Sequence, residues 1–423
     1  ETKLGDISLK GSLSYDKNDY WWVQPSLTAA YVQPSWNKKT RAEFVASRSL
    51  PLQQTLSIGV EIINTEYEKK QYNLSDWNNK NSKTTMTQEQ RGKTKTLGIY
   101  LQDEIALFDP LIIYLGGRYD KWRTYDGYNY IIKSGTETTY TFDGRDNNNF
   151  SPRASLVYKL SDDSRVKASI GQSFRGPTTS ELYSGWEKIT SSGDRDTSLP
   201  NENLKPEKIL SSEFSIEKSF AGRVSCKAAY FYNQMSDYIY KKTFSSSELS
   251  EYNLENYGDA TYYSEITQKQ NIGKSKSQGF EFEVRAKLSE CFETFANVTA
   301  MRTKVVENSS NPESEGKKIP KIPETTANVG IDYALNGFSA GIIGRYVGKT
   351  YSADDNSDKE EGVFGGYDPF FIADAKISYT REIAGFVPTI SLSCDNIFDK
   401  EYYQYYLSPG RTWSVNINIT RKF

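Results

Sequence analysis

The side chains that usually make and break covalent bonds are nearly absent from this chain. Its 423 residues include no histidine and only three cysteines. That removes Ser-His and Cys-His nucleophilic pairs and histidine-ligated metals together. Cys226, Cys291 and Cys394 stand far apart in strand-like runs, an odd set that gives neither a disulfide framework nor zinc spacing. One oxygen-rich cluster stands out: Asp354, Asp355, Asp358, Glu360 and Glu361. Such a loop can hold Ca²⁺, with Asp354, Asp355 and Asp358 as candidate ligands, although the spacing matches no EF-hand and a solvated acidic loop is the alternative. What remains is binding chemistry. Tyr72, Trp77, Tyr125, Tyr128 and Tyr130 lie in long polar stretches, where they could stack on a flat ligand or mark a membrane headgroup level. Arg175, Glu181, Tyr183 and Trp186 open another such stretch and offer cation–π and aromatic surface to a bulky chelate, unless they serve only to fold their own loop. The stretch 68–94 carries an excess of lysine and arginine, suited to an anionic ligand or to lipid phosphate.

The elements that must position these residues are strands. Near the end, Trp413, Val415, Ile417 and Ile419 alternate with Ser414, Asn416, Asn418 and Thr420, a strict period of two. Phe280, Phe282, Val284, Ala286 and Leu288 alternate with Glu281, Glu283, Arg285 and Lys287. So dense a charged row cannot face a packed core unpaired, but it can face a wet lumen. Asn336-Gly337 between two alternating runs predicts a hairpin.

About 17 strands of membrane-spanning length follow one another. Tight turns are expected near 16–20, 51–53, 108–110, 161–164, 219–222, 289–290, 336–337 and 382–386. Longer connections are expected near 34–39, 68–94, 125–150, 175–206, 243–275, 306–319, 352–367 and 404–410. Short turns on one rim and long loops on the other mark an all-β transmembrane antiparallel barrel, its apolar face toward lipid and its polar face toward the lumen. A large soluble all-β repeat protein is the competing architecture.

Composition agrees with the barrel. Mean hydropathy is -0.67 and apolar residues make up 37%, too few for one solid core of this size, yet aromatics reach 14% with 31 Tyr. The net charge of -2 points away from nucleic acid. No apolar run is long enough for a transmembrane helix, and no charged-then-apolar leader is present. An odd strand count would force a parallel seam, so amino-terminal strands are expected to be missing from this chain.

Three stretches resemble the TonB-dependent outer-membrane receptors. They are SFRGPTTSELYSG with LPNENLKPE (173–185 and 199–207), NIGKSKSQGFEFEV (271–284), and the closing CDNIFDKEYYQYYLSPGRTWSVNINITRKF. The first looks like the family's FRAP and NPNL boxes, the last like its Asn-Leu-Phe-Asp-Lys-x-Tyr … Pro-Gly-Arg signature with terminal Phe. LQDEIALFDPLIIYLGGRYDKW (101–122) extends the likeness upstream.

The resemblance implies that residues 1–423 are the barrel domain of a receptor in the bacterial outer membrane, about 17 of about 22 strands, without the amino-terminal plug. It implies energised uptake of an iron siderophore, cobalamin or haem, with no cofactor and no enzymatic step. The implied partners are the TonB-ExbB-ExbD complex acting through the plug, outer-membrane lipid and lipopolysaccharide, and the barrel-assembly machinery, which reads the strand of Trp413 and Phe423. No histidine lies between Pro177 and Asn201, which disfavours histidine-ligated haem and leaves Tyr183 as a possible ligand. Gly176 stands where the family commonly has Ala, and Arg421 where an apolar residue or Tyr is usual. A passive porin-like channel is the alternative reading.

Overall fold

The computed structural model describes residues 2–25, 30–51, 53–133, 135–189, 192–357, 367–403 and 407–421. One sheet holds every strand. β1 (Thr2–Leu4) turns at Gly5 into β2 (Ile7–Gln24), followed by β3 (Tyr31–Leu50), β4 (Gln54–Leu74), β5 (Lys83–Phe108) and β6 (Leu111–Lys133). β7 (Thr136–Phe142) folds back on the upper half of β6, and β8 (Arg145–Ser161) pairs with its lower half. β9 (Ser164–Arg175) leads into α1 (Thr179–Tyr183) and the small hairpin β10 (Trp186–Ile189) and β11 (Arg195–Leu199). β12 (Glu207–Phe220) returns to pair with β9, and β13 (Val224–Thr243) follows. α2 (Ser246–Tyr257) precedes β14 (Glu265–Lys287) and β15 (Phe292–Asn308), after which a 3₁₀ turn spans Pro312–Ser314. The series closes with β16 (Thr325–Leu335), β17 (Phe338–Val347), β18 (Phe370–Thr380), β19 (Phe386–Asp395) and β20 (Thr412–Arg421).

Apart from β1, β7, β10 and β11, the strands form one antiparallel meander, each paired to the next. The exception to antiparallel order is β11, which runs parallel to the start of β14. Among the described residues β20 pairs only with β19, and each of its ten residues is exposed.

Period two decides which side of the wall each residue takes. Phe280 and Phe282 are 65% and 49% exposed, and the row continues across Val298, Val329, Ile342, Ile377, Leu392 and Val415, all exposed. This is the lipid belt. Aromatics bound it at the lower rim, where Phe292, Tyr333 and Phe338 stand in series at centroid separations of 4.8 and 6.0 Å. Arg421 sits there over the Phe386 ring at 5.9 Å, placing a cation at headgroup level. The opposite face carries the charges: Arg285 pairs with Glu283 at 2.8 Å and Lys287 with Glu290 at 3.2 Å. Asn336 and Gly337 form the expected tight turn, with φ of 50° and 83°, the left-handed pair such a hairpin requires.

Two expected connections are corrected. Residues 16–20 and 34–39 are not turns; they lie inside β2 and β3, in unbroken register from Ile7↔Arg48 to Gln24↔Tyr31. Their polar runs face each other, Asp16 beside Lys39 and Asp19 beside Trp36. The turn before β2 falls instead at residues 5–6. Among the described residues the meander from β2 to β20 has sixteen strands, with the three-residue β1 paired ahead of β2. No described helix is long and apolar enough to cross a membrane.

Candidate functional site

Arg175 ends β9 and fixes the loop that follows. Its guanidinium donates to both Glu181 oxygens at 2.8 and 3.0 Å, and its Nε donates to Glu207 at the start of β12. Glu207 in turn accepts from the Ile239 amide at 2.8 Å, so one arginine ties β9, α1, β12 and β13 together. Thr178 caps α1: its Oγ1 accepts from the Glu181 amide at 3.1 Å, and Glu181 accepts from the Thr178 amide at 2.8 Å, a capping box. Burial raises the Glu181 pKa, but the Arg175 and Thr178 hydrogen bonds outweigh it and hold the carboxyl below its usual range. Arg175 is therefore engaged in folding the loop and offers no free fork to a ligand.

The loop is anchored by a small core of Trp122, Leu182, Tyr183, Leu204 and Ile239. Tyr183 is 1% exposed and stacks on Phe142 at 4.8 Å. Its buried ring leaves no face for haem or any other ligand, which corrects the vestibule role expected of it. Gly176 lies against the Trp122 indole, where a Cβ would come within 2.9 Å of Nε1. Trp122 thus fills the space that an alanine methyl would need.

Asn201 and Asn271 lock the next stretch. Asn201 donates to the Lys269 carbonyl at 2.7 Å. Asn271 accepts from the Lys205 amide at 2.7 Å and donates to the Lys205 and Asp237 carbonyls at 2.8 and 2.7 Å. The motifs are in contact, and their asparagines satisfy loop backbone that would otherwise be unpaired. The closing motif works alike: Asn396 exchanges bonds with Lys400 at 3.0 and 2.9 Å, and Asp399 accepts from the Arg411 amide at 2.7 Å.

A further aromatic cluster lies above, in the segment 243–265, with Tyr257 exposed. Ser245 and Glu248 form a second capping box, and Gly258 in the left-handed region ends α2. Tyr257 and Tyr262 stack at 3.8 Å with a 3° interplanar angle, Tyr263 stands edge-on to both, and the Arg195 guanidinium lies 4.7 Å from the Tyr262 ring. Tyr263 is buried and donates to Glu187 at 2.6 Å, which joins the β10–β11 hairpin and its Trp186 to this cluster. Burial pushes the Tyr252 hydroxyl up to about 12. Sequence reasoning treated 243–275 as one polar loop and missed these residues. The signals were present, four tyrosines between 252 and 263 and the Ser-x-x-Glu of the cap.

The other candidates are not gathered at this surface. Tyr125 continues the outward row of Tyr119, and after the bulge at Asp126, whose φ is 55°, Tyr128 rejoins that face opposite Arg91. Both rings lie beneath cations, Lys93 at 5.9 Å and Arg91 at 4.3 Å. Tyr72 sits under Lys83 at 5.0 Å, and Trp77 is exposed in the 75–82 turn. The register therefore turns Tyr125 and Tyr128 away from the lumen, a correction to their ligand role. Trp413 is an outward residue of β20; Phe423 lies outside the described residues. In the acidic loop Asp354 accepts from Tyr240 and Asn311, and Asp355 accepts from the Ser357 amide at 3.0 Å. Asp358, Glu360 and Glu361 lie outside the described residues, and no group of three metal-ligating side chains exists among the described ones.

Below the loops the inner wall lines an open cleft of about 1080 Å³. Its charges are mutually neutralised: Arg118 holds Glu61 and Asp120, each at 2.7 Å, Arg41 holds Glu61, and Tyr100 donates to Glu43 at 2.9 Å.

A family model described as TonB dependent receptor-like, beta-barrel, matches residues 2–397. The chain belongs to this receptor family. The iron-regulated outer membrane virulence protein of Vibrio cholerae is 21% identical over 403 residues, 94% of this chain and 55% of its own length. The ferrichrome outer membrane transporter/phage receptor of Escherichia coli K12 is 24% identical over 316 residues, 73% of this chain and 35% of the relative. Among solved structures, the ferric yersiniabactin uptake receptor of Yersinia pestis superposes with a TM-score of 0.69 at 17% identity, covering 99% of this chain and 58% of that one. The chain thus spans about half the length of the first of these relatives. The TonB-dependent receptor barrel is an outer-membrane fold, and its family comprises receptors and transporters rather than enzymes.

Proposed function

We propose that this barrel is the membrane-spanning part of a TonB-dependent receptor that takes up an iron–siderophore complex or a similarly bulky scarce ligand such as cobalamin or haem. The observation that carries the proposal is the stacked Tyr257–Tyr262 pair with Arg195 over Tyr262 and Tyr257 exposed, an aromatic and cationic cluster at the loop end of a wall whose lumen-facing charges are paired. Such a surface holds a conjugated, anionic chelate by stacking and cation–π attraction. Trp186 on the adjoining hairpin extends it. Relatives named for ferrichrome, ferripyoverdine and hemin support the ligand class. Energy would come from the TonB-ExbB-ExbD complex acting through a plug domain, and the β20 strand with Phe423 would be the handle for barrel assembly.

Titration of the receptor with ferric siderophores, cobalamin and haem, followed by tryptophan quenching, tests this directly. We expect saturable quenching by one class. Tyr257→Ala should weaken it about fivefold to tenfold, the worth of one stacked ring. Saturation by none of them, together with liposome swelling in small sugars, would instead establish a passive pore.

A further inference from the structure

Tyrosine is abundant in this chain, 31 of 423 residues, and its ring contacts are of two kinds. Tyr238 and Tyr240 are tilted at 6.3 Å, and Tyr263 meets Tyr257 and Tyr262 edge-on at 5.3 and 4.9 Å. Tyr257 and Tyr262 instead lie face to face, 3.8 Å apart with planes 3° from parallel, closer than the roughly 4.5–7 Å usual for aromatic pairs. Their π lobes therefore point at each other in van der Waals contact.

The pair is open to solution and its neighbour is not. Tyr257 is 38% exposed and Tyr262 partly so, whereas Tyr263 is buried at 1% and donates to Glu187 at 2.6 Å. Burial and that bond raise the Tyr263 hydroxyl above its ordinary range and keep it protonated. Arg195 lies 4.7 Å from the Tyr262 ring and opposes a positive charge there, so an electron leaves Tyr262 together with its phenolic proton. The backbone between the rings can follow a new bond. Gly258 ends α2 in the left-handed region, and the Tyr262 amide closes a turn on the Asp259 carbonyl at 3.1 Å.

We propose that Tyr257 and Tyr262 form an oxidative modification site, joined into dityrosine by a peroxide-driven one-electron oxidant. Each phenol gives up one electron to the oxidant and its proton to water. The two ortho carbons then bond along the facing π lobes, and each passes its ring hydrogen to its own oxygen as the phenol is restored. Two tyrosines and one hydrogen peroxide become one dityrosine and two waters. The bond ties the end of α2 to the segment entering β14, and the Tyr263–Glu187 hydrogen bond carries that restraint to the β10–β11 hairpin. Oxidation therefore stiffens the loop cluster, whichever ligand the receptor takes.

The test exposes the detergent-purified receptor to hydrogen peroxide and a haem peroxidase, then digests it with trypsin. Tyr257 and Tyr262 share the tryptic peptide 243–269, so the cross-link is internal to it. That peptide should become lighter by two hydrogen atoms, gain dityrosine fluorescence, and release no fragments from backbone breaks between 257 and 262. Tyr257→Phe and Tyr262→Phe each keep the stacked ring and should lose the product altogether, with heat-modifiable gel mobility unchanged as the check on folding. Tyr252→Phe, in the same peptide, should form it at the wild-type level. No product in the wild type, or product that persists in either of the first two variants, overturns the proposal. So does a fragment pattern that places the bond on Tyr252 or Tyr263, or a cross-linked dimer in place of the internal link.

Discussion

The wall is not of even height. β3 to β6 run 20, 21, 26 and 23 residues, whereas β16 to β20 run 11, 10, 11, 10 and 10. Because tight turns hold both sides at the same lower rim, the additional residues all rise above the membrane. The low side is little more than a lipid-spanning band, with a membrane face and a lumen face and nothing else. The tall side has a third region, a polar stretch of sheet with water on both faces, and it is there that α1 is seated against β5 and β6, while the β10–β11 hairpin is paired to the equally long β14. Stability on the low side comes from matching lipid, and on the tall side from side-chain networks between strands and loops.

Four measurements bear on that contrast. The largest effect is expected from Tyr183→Ala, which empties the core beneath the loops and should cost about 3–5 kcal/mol of local stability, read as lost protease protection across 176–207. Equal protection in the variant would show that the tall side does not depend on this core. Next, Ile342→Lys in the middle of β17 places a charge in the lipid belt and should cost about 2–4 kcal/mol in urea refolding into vesicles. Tyr125→Lys on the outward face of β6 should stay within about 0.5 kcal/mol, since that residue stands above the belt. A similar cost at both positions would mean that the two sides share one membrane depth.

Third, Arg175→Ala strands Glu207, 4% exposed, beside Glu181. Because Arg175 itself is half-exposed, the cost should be about 2 kcal/mol rather than the full penalty of a buried pair. Arg345→Ala, which releases Asp374 on the low side, should cost under about 1 kcal/mol.

The smallest effect is a pH response confined to α2. The Lys242 hydrogen bond and the Ser245 backbone hold the Glu248 carboxyl down to about 2, below its ordinary 4.5. Its stabilisation is complete above the unfolded value and lost as pH falls from about 4.5 toward 2. Amide exchange at 246–257 should rise only in that window and be flat in Glu248→Gln.

The same unevenness governed what the sequence revealed. Thr325–Leu335, Phe338–Val347 and Phe370–Thr380 were legible almost residue for residue, because lipid on one face and water on the other force a period of two. Above the belt both faces meet water and the alternation disappears. Asp16 to Asp19 and Pro34 to Lys39 then look like turns although their backbones are paired throughout. The long polar stretches at 68–94 and 125–150 were mostly strand for the same reason. The motif residues were found, but Arg175, Asn201 and Asn271 serve to fold loops. The clustered tyrosines between 252 and 263, which follow no period, were overlooked.

The parallel pairing of β11 with β14 sets an order on folding. Nearly every other ladder joins strands adjacent in the chain, so hairpins can add one after another with little loop-closure entropy. Asp196↔Glu265 and Leu199↔Gln268 instead join residues separated by β12, β13 and α2. That contact forms only once all three are in place, and we expect it to be the slow, late step by which the loop cluster is set on a wall already built.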